Sequence, residues 1–566
     1  MRIRLHASRV LTACLVAAGL LSCASPSIPE PNARAPKLEG FGHGTWRIQT
    51  RNVESQDLFE RGLMQLYAFN QVEAARAFKA ALALDPHCAM CAWGVSMAFG
   101  PNINAVERGD LTDARRYASI AAREATNGPR LERLLADAVV ARYADGGDGS
   151  SAPLEAPICT SGGDAAPHPL DVRYAALMQA VVEEFPDQPD VTSLYAEARM
   201  IATRVDWWDP KTGEPAPGIA DMTERLERAI GKAPEHTGLN HYLIHAVDAA
   251  TVARRAEAAA DRLGMLAPES PHLLHMPAHI YVRLGRWDDA VRVNVEGLAA
   301  DVRLKKALEA QGFEASPSWE GHNRHFLWYA TLMQGQGDQA MEQARRLGER
   351  AAKSQSATGE FMRALPVLTL ERLERWNDVL AEPMPEGRTG LGAAIARQAR
   401  GLALLRTGRV REAEAEAAAL DDAIASTTLD GEKVFGADSA RDVLAVLRAR
   451  LEAELAVTRG APDAAARALE QAIEREDALE ANEPPLLAAG SRLALGDAWM
   501  KAGRWGDAER SYRADLAEHP NSGWAWRGLA SSLEAQGRRD ASATAREELA
   551  KSWRTADADL RRSSGL

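Results

Sequence analysis

Seven of the chain's 13 histidines lie in one stretch: His241, His245, His272, His275, His279, His322 and His325. Neutral imidazole is the commonest protein ligand for zinc, copper, iron and nickel, and two histidines four apart on a helix can chelate one ion. The spacing is more telling still. His241 and His275 are 34 residues apart, as are His245 and His279. Pairs one helical turn apart that recur once per repeat put imidazoles from neighbouring helices on one shared surface. Packed helices lie about 8–10 Å apart, so these rings can meet at one or two points and hold one or two transition-metal ions. Six histidines on antiparallel helices suit a coupled copper pair, whereas zinc is satisfied by three or four with water, and iron also takes imidazole. Asp248 is a candidate carboxylate ligand or a partner that fixes an imidazole tautomer, and Asn240 and Asn323 flank the pairs and can do the same. An ion with an open position would polarise a substrate oxygen, generate hydroxide from water, or bind dioxygen if it were copper or iron.

Three other readings use the same rings. They can line a groove for an anionic or peptide ligand, pack helices together, or sense acid near about pH 6 without metal. The chain has no Gly-rich phosphate loop, nucleophile elbow or HExxH motif, which removes the commonest hydrolase and nucleotide-enzyme readings. Cys88 and Cys91, in DPHCAMCAWG, lie one turn apart where a helix begins and its dipole lowers thiol pKa. They can form a second soft metal site with His87, a disulfide, or a pair of small packing residues. The βαβ setting of a thioredoxin-like redox motif is absent.

The elements that must position these residues read as helices throughout. From Ser55 to Pro86 the sequence gives an amphipathic helix, a polar turn at Asn70-Gln71, a second helix and a proline stop. Gly62, Ala74, Phe78, Ala81 and Pro86 resemble the packing residues of the tetratricopeptide repeat, and Gly496, Trp499, Gly503, Ala508, Tyr512 and Pro520 resemble them again. The expected fold is therefore all-α, a tetratricopeptide-like α-solenoid of helical hairpins wound as a right-handed superhelix. In that frame repeats start at Thr237, Pro271 and Gly321. The resemblance implies that the histidine positions line the concave inner groove, while Leu274, Ala278 and Tyr281 pack the core. Pro277, inside HMPAH, costs a helix about 3 kcal/mol and is expected to kink it so that His275 and His279 aim together.

At 566 residues the chain exceeds one compact core, and a repeat array accounts for its length. The net charge of −12 and a pI near 5.7 disfavour nucleic acid, which needs a dense basic face. Arg2, Arg4 and Arg9 precede an apolar run from Val10 to Leu21, too short to cross about 30 Å of hydrocarbon and therefore an export signal. The ending Leu20-Leu21-Ser22-Cys23 resembles a bacterial lipoprotein signal. It implies a lipid on Cys23 and, with Ala24 next, an outer-membrane lipoprotein facing the periplasm, with a soluble secreted or periplasmic protein as the alternative. The expected organisation is a signal over 1–23, a Pro-rich, unpacked tether over 24–52, hairpins over 53–144, a Gly/Ser/Pro loop over 145–170, the His-rich repeats over 171–350 and further repeats over 351–566. Trp207 to Gly218 is a second loop, in which Trp207 and Trp208 either cover a site or plug a gap between hairpins.

CAMCAWG with GPNIN, NHYLIHAVDA, HLLHMPAHIYVRLGRW and HNRHFLWYA together resemble a group of exported bacterial tetratricopeptide-repeat proteins, over roughly residues 55 to 350. That resemblance implies no activity. Two functions are therefore expected of the chain: a membrane-anchored protein whose His-lined groove binds copper, zinc or iron, as a possible metalloenzyme, or a scaffold whose groove clasps a protein or peptide partner of the cell envelope.

Overall fold

A computed structural model describes residues 30–106, 108–145, 166–203, 207–209, 212–249, 251–479, 483–488 and 490–566. The expected signal and Cys23, and most of the loop over 145–170 with Cys159, lie outside the described residues. Helical hairpins follow one another from Val53–Tyr67 and Gln71–Leu84 to Gly523–Ala535 and Arg539–Ser552, and each stacks on its neighbours. The two-stranded ribbon Lys433–Val434 and Asp438–Ser439 is the one sheet among the described residues. The fold is thus the expected all-α tetratricopeptide-like solenoid.

Small residues make the stacking possible. Gly62 and Gly94 flank the ring of Phe78, and a Cβ at Gly62 would lie 2.7 Å from that ring; Gly496 and Gly528 clasp Tyr512 in the same way. Polar side chains start the helices. Asn52, Ser270 and Ser522 accept from the backbone N–H groups of Ser55, Leu273 and Ala525, which the first turn leaves without partners. His236 does the same for Leu239 through Nδ1 while its Nε2 meets Asp190 at 3.0 Å, so this histidine caps the helix that carries His241 and His245.

Two parts of the chain close the array on itself. Residues 37–49 are no free tether: Phe41, Trp46 and Ile48 are buried, Trp46 meets Trp93 edge-on at 5.9 Å, and Gly40 accepts from Glu269 N–H. Its three apolar side chains give this strap a reason to pack. At the other end, Trp553 donates to the Met333 carbonyl, Asp557 N–H to that of Gly335, and Asn521 to that of Gly285. The last hairpins therefore rest on the histidine-bearing repeats. Trp208 is a gap plug, since its indole donates to the Ala246 carbonyl at 2.6 Å and ends the helix Thr237–Ala246.

Replacing Gly94 by Ala puts a methyl group into the Phe78 ring. The expected cost is about 1–3 kcal/mol, read as a lowered thermal midpoint, and Phe78→Leu in the same chain should recover part of it.

Candidate metal centre

Four helices build the site. Thr237–Ala246 carries His241 and His245. The helical run Pro271–His275 and Pro277–Leu284, interrupted at Met276, carries His272, His275 and His279. Trp287–Ala310 supplies Asn294, and Glu320–Met333 supplies His322 and His325. Pro277 has no N–H to give the preceding turn, and the rings on either side of it converge as expected. Gly297 permits the close approach of the last two helices: a Cβ there would lie 3.0 Å from both Asn323 Nδ2 and the Pro271 carbonyl.

Six of the seven expected histidines form two sets. His241, His245 and His272 make one, and His275, His279 and His322 the other; within each, the candidate ligand atoms lie within 4.8 Å of one another. In the first, His241 Nε2 is 3.1 Å from both His245 Nε2 and His272 Nε2. In the second, His275 Nε2 faces His279 Nε2 at 3.0 Å, and His322 Nε2 is buried with no hydrogen-bond partner. The sets adjoin, with ring centroids of His245 and His279 6.4 Å apart and those of His272 and His275 6.5 Å apart. His325 belongs to neither. Its ring stacks on Trp328 and Phe435, and burial alone lowers its pKa to about 3.

The outer nitrogens of the second set are fixed. Asn294 Nδ2 donates to the Ala290 carbonyl, so its Oδ1 faces His275 Nδ1, at 2.6 Å, and requires a proton there. His279 Nδ1 lies 2.7 Å from Asp248 Oδ2 and 2.5 Å from Glu483 Oε2, and so also donates. Arg283 reaches Asp248 at 3.2 Å and Glu483 at 3.3 Å. Burial works against Asp248's charge, but His279 and Arg283 outweigh it and hold the carboxyl well below its usual range; burial and then Asp248 push Glu483 up to about 7. Although Asp248, His279 and Glu483 converge closely enough to hold an ion themselves, the Arg283 cation already spans both carboxylates. These groups act as the outer support of His279.

Asp248 thus fills the tautomer-fixing role expected of it. Asn240 and Asn323 do not touch the rings: Asn240 accepts from Arg262 and donates to the Pro234 and His236 carbonyls, while Asn323 Nδ2 reaches the Pro271 carbonyl. Asn294 and Glu483 were not foreseen. Asn294 could have been noticed as a polar residue between Val293 and Gly297 on a packed face, but nothing local marks Glu483, about 200 residues away.

The histidines lie not in the expected open groove but buried among packed rings. None of the six rings is more than 7% exposed. Phe69 lies 4.7, 5.2 and 5.6 Å from His241, His272 and His245, Trp319 stacks on His272 at 4.1 Å, and Phe326 lies 4.5–5.1 Å from the second set. Phe69 has φ +50°, a conformation that costs a bulky residue on the order of 1–3 kcal/mol, and it aims its ring at the histidines from the turn of the first hairpin.

Cys88 and Cys91 are joined in a disulfide, so neither sulfur is available as a thiolate ligand. His87, the third member of the expected soft site, is exposed and paired with Glu124. Of the three readings of this CxxC, the structure has the disulfide.

No protein-family model and no curated protein matches the chain. Similar solved structures include the human IFIT1 dimer with m7Gppp-AAAA (13% identity, 89% of this chain and 91% of that one, TM-score 0.31), the TPR domain of P58(IPK) (12%, 86% and 99%, 0.21) and yeast Tom70 (12%, 88% and 92%, 0.23).

Burial, followed for several rings by neighbouring imidazoles, lowers the pKa of His241 to about 3 and drives those of His245, His272, His275 and His322 well down. The fold keeps these rings neutral, while the unfolded chain protonates them below about pH 6.5, so their contribution to stability is present above that pH and lost as it falls. Raised carboxyls such as Glu197 and Glu483 act in the opposite sense. His325, apart from both sets, isolates one imidazole. Relative to wild type, His325→Phe should gain up to about 1.4 kcal/mol per pH unit on acidification below pH 6.5, measured by denaturation of metal-free protein; a pH-independent difference would contradict this.

Proposed function

We propose that the chain binds a pair of transition-metal ions, one in each three-histidine set, with copper the ion best suited to all-imidazole donors. The meeting of His275 and His279 carries this reading. Both Nδ1 atoms are committed as donors, so the two Nε2 atoms that face each other at 3.0 Å are left to share a cation, a proton or a metal ion. Such a contact is repulsive unless a cation lies between, and His322 adds a third nitrogen that a single shared proton cannot serve. In the first set His241 Nε2 likewise faces the Nε2 atoms of His245 and His272 at 3.1 Å, while His241 Nδ1 and His272 Nδ1 have no hydrogen-bond partner.

Three protein ligands leave a position open on each ion. Such ions would supply open positions for a small oxygen ligand such as water or dioxygen, beside the rings of Phe69, Trp319 and Phe326. The reading is thus a metalloprotein with capacity for small-molecule oxygen chemistry, with copper, zinc and iron all to be tested. We also propose that it is exported and anchored at the periplasmic face of the outer membrane through Cys23, which rests on the arginines and apolar run of the first 23 residues. A scaffold that clasps an envelope partner is supported by the repeat fold alone, and would have to use surfaces outside the aromatic-roofed chamber.

Loading purified protein separately with copper, zinc and iron, followed by desalting and elemental analysis, should give two ions per chain with at least one metal. His275→Ala with His279→Ala should retain one, and His325→Ala both. Less than one ion per chain for every metal, or unchanged content in the double variant, would refute the proposal. Asp248→Asn and Asn294→Ala, which remove support and leave the ligands, should weaken binding about 10–100-fold in competition with a chelator.

A further inference from the structure

A second chamber lies among the C-terminal repeats, with no histidine in its lining. It encloses about 120 Å³ between the ends of helices Ala357–Arg372, Leu391–Arg406, Ala440–Thr458, Ser491–Lys501 and Gly523–Ala535. Its wall carries four arginines and four acids, and most of that charge is already paired. Glu371 holds Arg450 at 2.8 Å, Glu374 holds Arg527 at 2.7 Å, Glu454 takes both Arg406 and Lys501, and Asp497 accepts from Tyr512.

Arg372 is the exception. It is 7% exposed and makes no hydrogen bond or ion pair among the described residues, and its guanidinium rests 3.9 Å over the ring of Trp524. Burial, with Arg527 and Arg450 acting in the same direction against Asp515 and Tyr329, lowers its pKa to about 10, so it remains a cation at neutral pH. Asp515, whose charge acts on Arg372, lies 3.4 Å from His519, and neither of its buried carboxylate oxygens has a hydrogen-bond partner. Arg372 Nε, Arg450 Nε and Trp524 Nε1 are three buried donors with no acceptor. A buried guanidinium without a hydrogen-bond partner is costly unless an acceptor reaches it.

We infer that this chamber binds a small organic carboxylate. A planar carboxylate matches the guanidinium fork of Arg372, and an apolar body finds Val457, Leu469 and Leu493 in the same wall. The site is separate from the histidines and does not depend on metal.

The test is calorimetry and tryptophan fluorescence with phenylacetate as the probe, alongside inorganic phosphate and phenethylamine. Wild type should bind phenylacetate saturably at one site, with neither of the others competing. Arg372→Met should lose at least roughly tenfold in affinity while its metal content stays that of wild type. Arg372→Lys, which keeps the charge but not the fork, should fall between and serves if the methionine variant does not fold. Failure of wild type to bind phenylacetate, stronger binding of phosphate, or wild-type affinity in both variants would each overturn the assignment.

Discussion

Imidazole nitrogens buried side by side are the constraint around which this chain is built. An exposed ring can take its hydrogen bonds from water. The buried rings of His275 and His279 cannot, so their nitrogens must be answered by protein or ligand. The outer nitrogens of the second set are answered by Asn294 on one helix, Asp248 just past the end of another, and Glu483 from a loop near the opposite end of the sequence. Arg283 then keeps the two carboxylates from repelling each other. Each of these groups is useful only because the others are in place.

This requirement also explains why the solenoid departs from the usual one-dimensional character of repeat arrays, in which each unit touches only its neighbours. Phe69 reaches across from the first hairpin, the strap at residues 37–49 lies against later repeats, and Trp553 and Asn521 bring the last hairpins back onto the middle. The histidines expected on an open inner groove are buried instead. Enclosure excludes water, strengthens the electrostatic interactions inside and limits entry to small molecules.

The two histidine sets are not equivalent. The first is surrounded by aromatic rings, with Phe69 and Trp319 against it; the second has carboxylates and an amide behind its imidazoles. Carboxylate support raises the basicity of a ligating imidazole, so under the proposed metal binding the second set would be the stronger site for a divalent ion. The C-terminal chamber follows a different logic. There the group without a partner is the Arg372 guanidinium, and the proposed ligand is a carboxylate that would answer it.

Much of this was legible in the residues. The helical period, the small residues at Gly62 and Gly496 and the 34-residue recurrence of paired histidines specify hairpins, their stacking and which imidazoles become neighbours, because these depend on contacts within one or two repeats. Asp248 was legible for the same reason, lying one turn beyond His245. The role of Glu483, the roof formed by Phe69, the packing of the strap and the exclusion of His325 were not, since each depends on how far the array curls and which distant side chains it brings together. The choice between a disulfide and a soft metal site at Cys88 and Cys91 was likewise settled by their placement. Local periodicity determined the elements and the candidate ligands; closure of the superhelix decided which became a site, because partners for a buried nitrogen are selected by proximity in space and not along the chain.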